Sequence, residues 1–282
     1  MNIFEKILTQ INSLPTLPTI YSALSEALDN PNTSSDKLAK IISTDQASAF
    51  KILKVVNSPF YGFRGKIETI SQAILYLGFN EVKNIVFALS VINFFSKDKR
   101  LPNFRPLDFW GHSIGVGVAA RAIGRVIGSQ NLENYFLAGI FHDIGKLIFF
   151  EFAYEEYADV LKIVENEGCC IKDAEMEIFG LDHARAGKLL AAKWKLPSGI
   201  QDSIYYHHSG IIPGEKNQLV AAVHIGNIVA RILSLGYAGD IFIPEPNLDV
   251  WEILKIPHGF FTQNRKSIER EFENTIQYMF AK

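Results

Sequence analysis

Apolar positions recur along this chain at the three-to-four-residue spacing of helices, and no convincing run shows the two-residue alternation of strands. The pattern predicts an all-α protein. Ile20 to Leu28, then the sets Leu38–Ile41–Ile42 and Phe50–Leu53–Val56, then Thr69 to Leu77, each fit one helix. A strongly apolar helix follows, from a cap at Asn80 to Phe95. The punctuation agrees. Asp29-Asn30-Pro31, Asn57-Ser58-Pro59 and Gly78 stop helices, Thr33 or Ser34 can cap one, and Asp45 can cap another. Leu14 to Pro18, reading LPTLP, is a turn-forming segment. Lys97 to Pro106 is polar and carries two prolines, which suggests a boundary between a lobe of residues 1–100 and a lobe of residues 101–282.

Pro106 suits the first turn of a helix that runs past Arg125 to Gly128. Amphipathic segments then end at Gly168 and Gly180, Asp182 can cap a helix through Trp194, and another reaches His207-His208. Gln218 to Leu235 is again apolar, and a last helix starts near Asn264. The segment Gly236–Asn247 has no clear period and could include an extended stretch.

One stretch breaks the pattern. Tyr135 to Phe150, YFLAGIFHDIGKLIFF, is apolar almost all round, as a buried helix would be. Yet Gly139, His142, Asp143 and Lys146 fall at i, i+3, i+4 and i+7 and would share one stripe. An acid, an imidazole and an amine inside a core cost free energy unless something satisfies them. A divalent metal is one such partner, because neutral imidazole and carboxylate oxygen both ligate it. Gly139 would leave room for another backbone or a ligand to approach.

Other polar residues sit in the same way on apolar helices. Asp108 and His112 are four apart and share a face with Gly115 and Ala119. His183 begins its helix, and His207 and His208 end theirs. His224, Asn227 and Arg231 lie on one arc. A helical bundle builds a site by facing such residues inward. Each alone has an ordinary reading: a core histidine is usually hydrogen-bonded, Asp108 suits the first turn of a helix, and Lys146 can pair with Asp143. His224 and Arg231 read as structural. The combination, above all His142-Asp143, points to metal.

Composition removes other functions. A formal net charge of −2 gives no electrostatic footprint for DNA and no attraction to an anionic membrane. The apolar run Ile85 to Phe95 falls short of the roughly 20 residues a span needs. The N-terminal MNIFEKILTQINSL reads as an amphipathic helix without the basic start of a signal peptide. Cys169 and Cys170 are adjacent, which fits reduced thiols and a cytoplasmic location.

The order His112, His142-Asp143, His183, His207-His208 resembles the HD superfamily of metal-dependent phosphohydrolases, with HDIGK matching its HD-x-G-K. KILKVVNSPFYGF (Lys51 to Phe63) and ILYLGFNEVKNIVFALSV (Ile74 to Val91) resemble the HDOD branch found in bacterial signalling proteins. The resemblance implies an HD-like helical bundle joined to an N-terminal helical lobe, with a role in signal transduction through an unidentified protein partner. It implies one or two divalent ions (Fe, Mn, Zn, Ni or Mg) held by Asp108, His112, His142, Asp143, His183, His207, His208 and Asn227. Were the chain an enzyme, Asp143 and Lys146 would act on a nucleotide or other phosphorylated small molecule. Two departures qualify this. Asn227 stands where the family pattern has an aspartate. After His207-His208 the sequence SGIIPG lacks the acid and the Gly-Tyr-Pro of the cyclic-di-GMP-hydrolysing branch. A regulatory protein, a phosphohydrolase and a metal-free scaffold therefore stand as alternatives.

Overall fold

A computed structural model describes residues 3–13, 23–24, 26–27, 33–59, 61–63, 65–95, 101 and 104–280, and among them fifteen helices and no strand. The LPTLP turn, the expected helix Ile20–Leu28 with its stop, and most of the Lys97–Pro106 segment lie outside the described residues. The fold is all-α. The chain forms two compact units, Met1–Leu14 with Phe95–Glu269 and Pro15–Phe94 with Arg270–Lys282. Each unit thus draws on two stretches of chain, where composition had suggested a single cut near residue 100.

The smaller unit holds α2 (Ser35–Ser43), α3 (Gln46–Val56), α4 (Ile70–Leu77) and α5 (Phe79–Phe95). Leu38, Ile42, Ile52, Val56, Ile70, Ile74, Val82 and Val86 meet in its core. Ser34 caps α2 by accepting from the Lys37 amide. Thr69 and Gln72 form a reciprocal capping box at α4. Asn80 is no cap, because α5 begins one residue earlier. Asn57 of the NSPFYG stretch is a clamp. Its amide nitrogen donates to Leu53 O (2.8 Å) and Ile67 O (2.7 Å), and its oxygen accepts from the Ile67 amide (2.7 Å). The loop between α3 and α4 is therefore closed at its base by a single side chain.

The larger unit contains α1 (Ile3–Ser13), α6 (Pro106–Val126), α7 (Leu132–Phe141), α8 (Ile144–Phe152), α9 (Tyr154–Glu167), α10 (Ile171–Phe179), α11 (His183–Lys193), α12 (Ser198–Tyr206), α13 (Gln218–Ile232) and α14 (Asp249–Leu254). The last helix, α15, runs Phe260–Phe280, starting before the expected Asn264. α6 lies at the centre, against α7 and α13. Its small residues allow this. A Cβ on Gly139 would overlap the Gly117 backbone, and one on Gly226 would sit 3.0 Å from Val116 O. The room expected at Gly139 is taken by α6. Likewise α8 crosses α11 with no gap: a Cβ on Gly145 would overlap the carbonyl oxygen of His183 and lie 2.7 Å from the Gly187 nitrogen.

The expected single helix Tyr135–Phe150 is two helices. α7 ends at Phe141 and α8 begins at Ile144, with Asp143 at φ −102°, ψ 11° between them. The Gly139 carbonyl accepts from His142 Nδ1–H (2.7 Å), and the Asp143 carbonyl accepts from the Lys146 amide (2.9 Å) to start the next helix. Residues 139 to 146 therefore share no continuous stripe. At the break Asp143 faces His183 and His207 of other helical segments. The segment Gly236–Asn247 is neither helix nor strand. Among the described residues no single helix is long and apolar enough to cross a membrane.

Candidate metal centre

Asp143 is where the polar residues meet. Its Oδ2 lies 3.3 Å from His142 Nε2 and 3.9 Å from His112 Nε2, and its Oδ1 lies 3.1 Å from His183 Nε2 and 3.4 Å from His207 Nε2. His208 Nε2 completes the group, 2.9 Å from His183 Nε2. Two sets of donor atoms result, each compact enough to surround one ion: His112, His142 and Asp143, and His183, His207 and His208. Lys146 Nζ donates to Asp143 Oδ2 (2.7 Å) and to the Ala238 carbonyl (2.9 Å).

The six candidate donors come from four places in the chain. α6 carries His112. The α7–α8 break carries His142 and Asp143. Asp182 caps α11 through the Arg185 amide and so sets His183 in the first helical position. His207 and His208 follow the end of α12. The ring orientations are fixed from behind. His142 Nδ1–H donates to Gly139 O, and His207 Nδ1–H donates to Ile204 O (2.7 Å). Both Nε2 atoms are thereby turned inward toward Asp143, and a hydrogen bond from Nδ1–H is the usual support of a metal-bound imidazole. Fit to an ion shows in the buried atoms without partners: His112 Nε2, His142 Nε2 and Asp143 Oδ1.

The centre is closed. His112, His142, Asp143, Lys146, His183 and His207 are at most 1% exposed, and His208 is half-buried. Part of the cover is the non-helical segment after α13. The Tyr237 amide donates to Asp108 O (3.0 Å), Ala238 accepts from Lys146, and Asp240 accepts from the Ile171 amide (3.2 Å) and pairs with Arg231.

Two expected ligands are elsewhere. Asp108 gives both carboxylate oxygens to Arg105, at 2.5 and 2.9 Å, and belongs to neither donor set. Asn227 is buried, and its oxygen accepts from Arg231 Nε (3.2 Å). His224 is structural, as expected: Nδ1–H donates to His207 O (2.8 Å) and Nε2 accepts from the Asn247 amide (3.1 Å).

Glu175 was not anticipated. It is fully buried, and its Oε2 accepts from His183 Nδ1–H (2.5 Å) and from the His183 amide (2.8 Å). The signal was present in the sequence. Ile171, Ala174, Glu175 and Phe179 form one face of α10, so Glu175 is an acid on an apolar stripe, the feature that marks Asp143.

The charges follow from this packing. Burial opposes ionisation of Asp143, but His142, Lys146 and His183 around it hold its carboxyl well below the usual range. Burial also disfavours charge on His183, yet the carboxylates of Glu175 and Asp143 outweigh it and raise its pKa to about 9. Burial pushes His207 down to about 3, and lowers His112 and His208 well below the ordinary imidazole value. Without metal, His183 is thus protonated and the other three are neutral. Its stabilising contribution is complete below about pH 6.5 and is lost as pH rises through 9. The neutral histidines act oppositely. Their contribution is present above about pH 6.5 and is lost on acidification, as the unfolded chain takes up protons. Chelator-treated protein should therefore show its highest Tm near neutrality and a lower Tm at both pH 5 and pH 9.5. A Tm that holds constant from pH 7 to 9.5 would contradict the His183 assignment.

Comparison with known proteins agrees with the geometry. Residues 14–210 match the HDOD domain family. An HDOD domain protein from Geobacter sulfurreducens, of unknown function, superposes with TM-score 0.82 at 25% identity, covering 99% of this chain and 98% of that one. A Shewanella amazonensis protein, assigned only provisionally as a phosphohydrolase, shares the fold with TM-score 0.75 at 19% identity, over 97% and 98% of the two chains. By sequence, an uncharacterised protein of Treponema pallidum is 26% identical over 232 residues, 80% of this chain and 44% of its own length. The uncharacterised YuxH of Bacillus subtilis is 38% identical over 71 residues, 25% of this chain and 17% of its own length. The chain thus spans less than half the length of these curated relatives. With the family match extending over more than half of the chain, and the HD residues gathered around Asp143, this protein belongs to the HDOD family.

Proposed function

We propose that this chain is a regulatory, signal-transduction member of its family whose HD-like centre holds a divalent ion as part of its folded structure. One observation carries the reading: the donor atoms converge, and all of the donor residues but the half-buried His208 are closed off from solvent. His112, His142, Asp143, His183, His207 and His208 would hold the ion. A bound ion would supply Lewis acidity to a phosphoryl oxygen or a water, if either could reach it. In the closed structure Lys146 faces Asp143 and the Ala238 carbonyl and has no exposed surface to offer a phosphate. The centre in this state suits holding an ion better than turning over a substrate.

The same buried charges tie ion occupancy to the packing of α6, α8, α11 and α12. An unidentified signalling protein, or a phosphorylated small molecule, would read that packing. Free thiols at Cys169 and Cys170 fit a cytoplasmic location, and a net charge of −2 speaks against DNA as partner.

The test is elemental analysis of purified protein, paired with an assay of a generic phosphodiester in added Mn²⁺. The expected result is a bound divalent metal that Asp143→Ala removes, and no turnover above the buffer rate. Turnover abolished by Asp143→Ala would instead establish the phosphohydrolase. Absence of metal would leave a helical scaffold.

A further inference from the structure

The two halves of the centre are not equivalent, and the difference lies in residues outside the ligand set. Toward His112 and His142 the two imidazole Nε2 atoms are unpartnered, but the oxygen acceptors beside them are engaged by cations. Lys146 Nζ holds Asp143 Oδ2, the carboxylate oxygen on that side, at 2.7 Å. The neutral Asn227 oxygen is taken by Arg231 Nε at 3.2 Å. Arg231 is itself paired with Asp240, so its charge is partly offset, but the Asn227 oxygen remains occupied.

Toward His183 the balance reverses. Asp143 Oδ1 has no hydrogen-bond partner and is the oxygen nearest His183 and His207. Three imidazole nitrogens crowd together there, His183 Nε2 lying 2.9 Å from His208 Nε2 and 3.4 Å from His207 Nε2. These short contacts gather the three Nε2 atoms around one point beside Asp143 Oδ1. Behind His183 stands Glu175, fully buried, with Oε1 unpartnered and Oε2 on both His183 Nδ1–H and the His183 amide. A carboxylate in that place fixes the tautomer with Nε2 free for a metal and raises its basicity. It also returns to the centre a negative charge that Asn227 does not supply.

Resting on the metal-binding reading above, we propose that Glu175 positions His183 as a ligand and makes the His183–His207–His208 end, with Asp143 Oδ1, the primary ion site. The His112–His142 end is then the weaker site, held back by Lys146 and by the Arg231–Asn227 contact. Glu175 is a positioning residue and touches no ion itself.

Co²⁺ titration of the chelator-treated full chain tests this, read by calorimetry and by the visible absorption of the bound ion, with circular dichroism to verify folding. One tight site is expected. His208→Ala, a truncation at the half-buried edge, and Glu175→Ala should each weaken it about ten-fold or more. Glu175→Gln, which keeps an acceptor for His183 Nδ1–H, should recover part of the loss. His112→Ala should weaken the tight site less than His208→Ala does. If His112→Ala weakens the tight site more than His208→Ala does, the inference fails while metal binding stands. If the wild-type chain binds no Co²⁺, both fail.

Discussion

Asp143→Ala is expected to lower the unfolding free energy of chelator-treated protein by about 3–5 kcal/mol, the usual cost of removing one partner from a buried ion pair. Lys146 would keep its charge in a site with no exposed surface, and a single backbone carbonyl, that of Ala238, would remain as its acceptor. His183 would lose one of the two carboxylates that hold its proton. Removing both charges should behave differently. Asp143→Asn combined with Lys146→Met leaves no unpaired ion, so it should recover much of the loss, although neither protein would bind metal. Urea unfolding of the wild type, Asp143→Asn, Lys146→Met and the double variant measures the coupling between the two side chains. A loss below about 1 kcal/mol for Asp143→Ala would mean that the pair is far better solvated than its burial indicates.

Gly145→Ala should be of comparable severity for a different reason. The added methyl group would overlap the His183 carbonyl, which is backbone and cannot rotate aside. Relief requires moving α8 away from α11. That motion would also draw Asp143 from His183. The expected result is a loss of about 3 kcal/mol or more, at the upper end of what overpacking costs, with weakened Co²⁺ binding as a second effect. Gly168→Ala is the control. It carries the positive φ of a helix C-cap (65°) but has open space around it, so only the backbone term of about 1 kcal/mol applies and metal binding should not change. Equal stability losses in the two variants would rule out the close crossing as the cause.

Much of this molecule was legible before its structure. The helical period, the caps at Ser34 and Asp182, and the left-handed stops at Gly168 and Gly180 depend on residues close in sequence, and local rules read them well. The HD residues were also legible, because a titratable group on an apolar helix face is out of place unless something pairs with it. Asp108 misled for the same local reason. It sits one turn before His112, but Arg105, three residues before it, claims its carboxylate.

Glu175 and the break at His142-Asp143 were harder. An acid at position 175 gains its meaning only when α10 folds back beside α11. The helix break gains its meaning only when α6 and α11 arrive on either side of Asp143. By itself, the amino-acid order determined an all-helical HDOD protein and nearly the whole set of donor groups, since helix period, caps and residue chemistry are carried within a few positions of one another. Only the tertiary structure decided which donors face the same point, which acids are already engaged, and that the centre is closed. Those depend on contacts between segments up to about a hundred residues apart, such as Lys146 with Ala238, and burial is a property of the assembled packing that no single segment possesses.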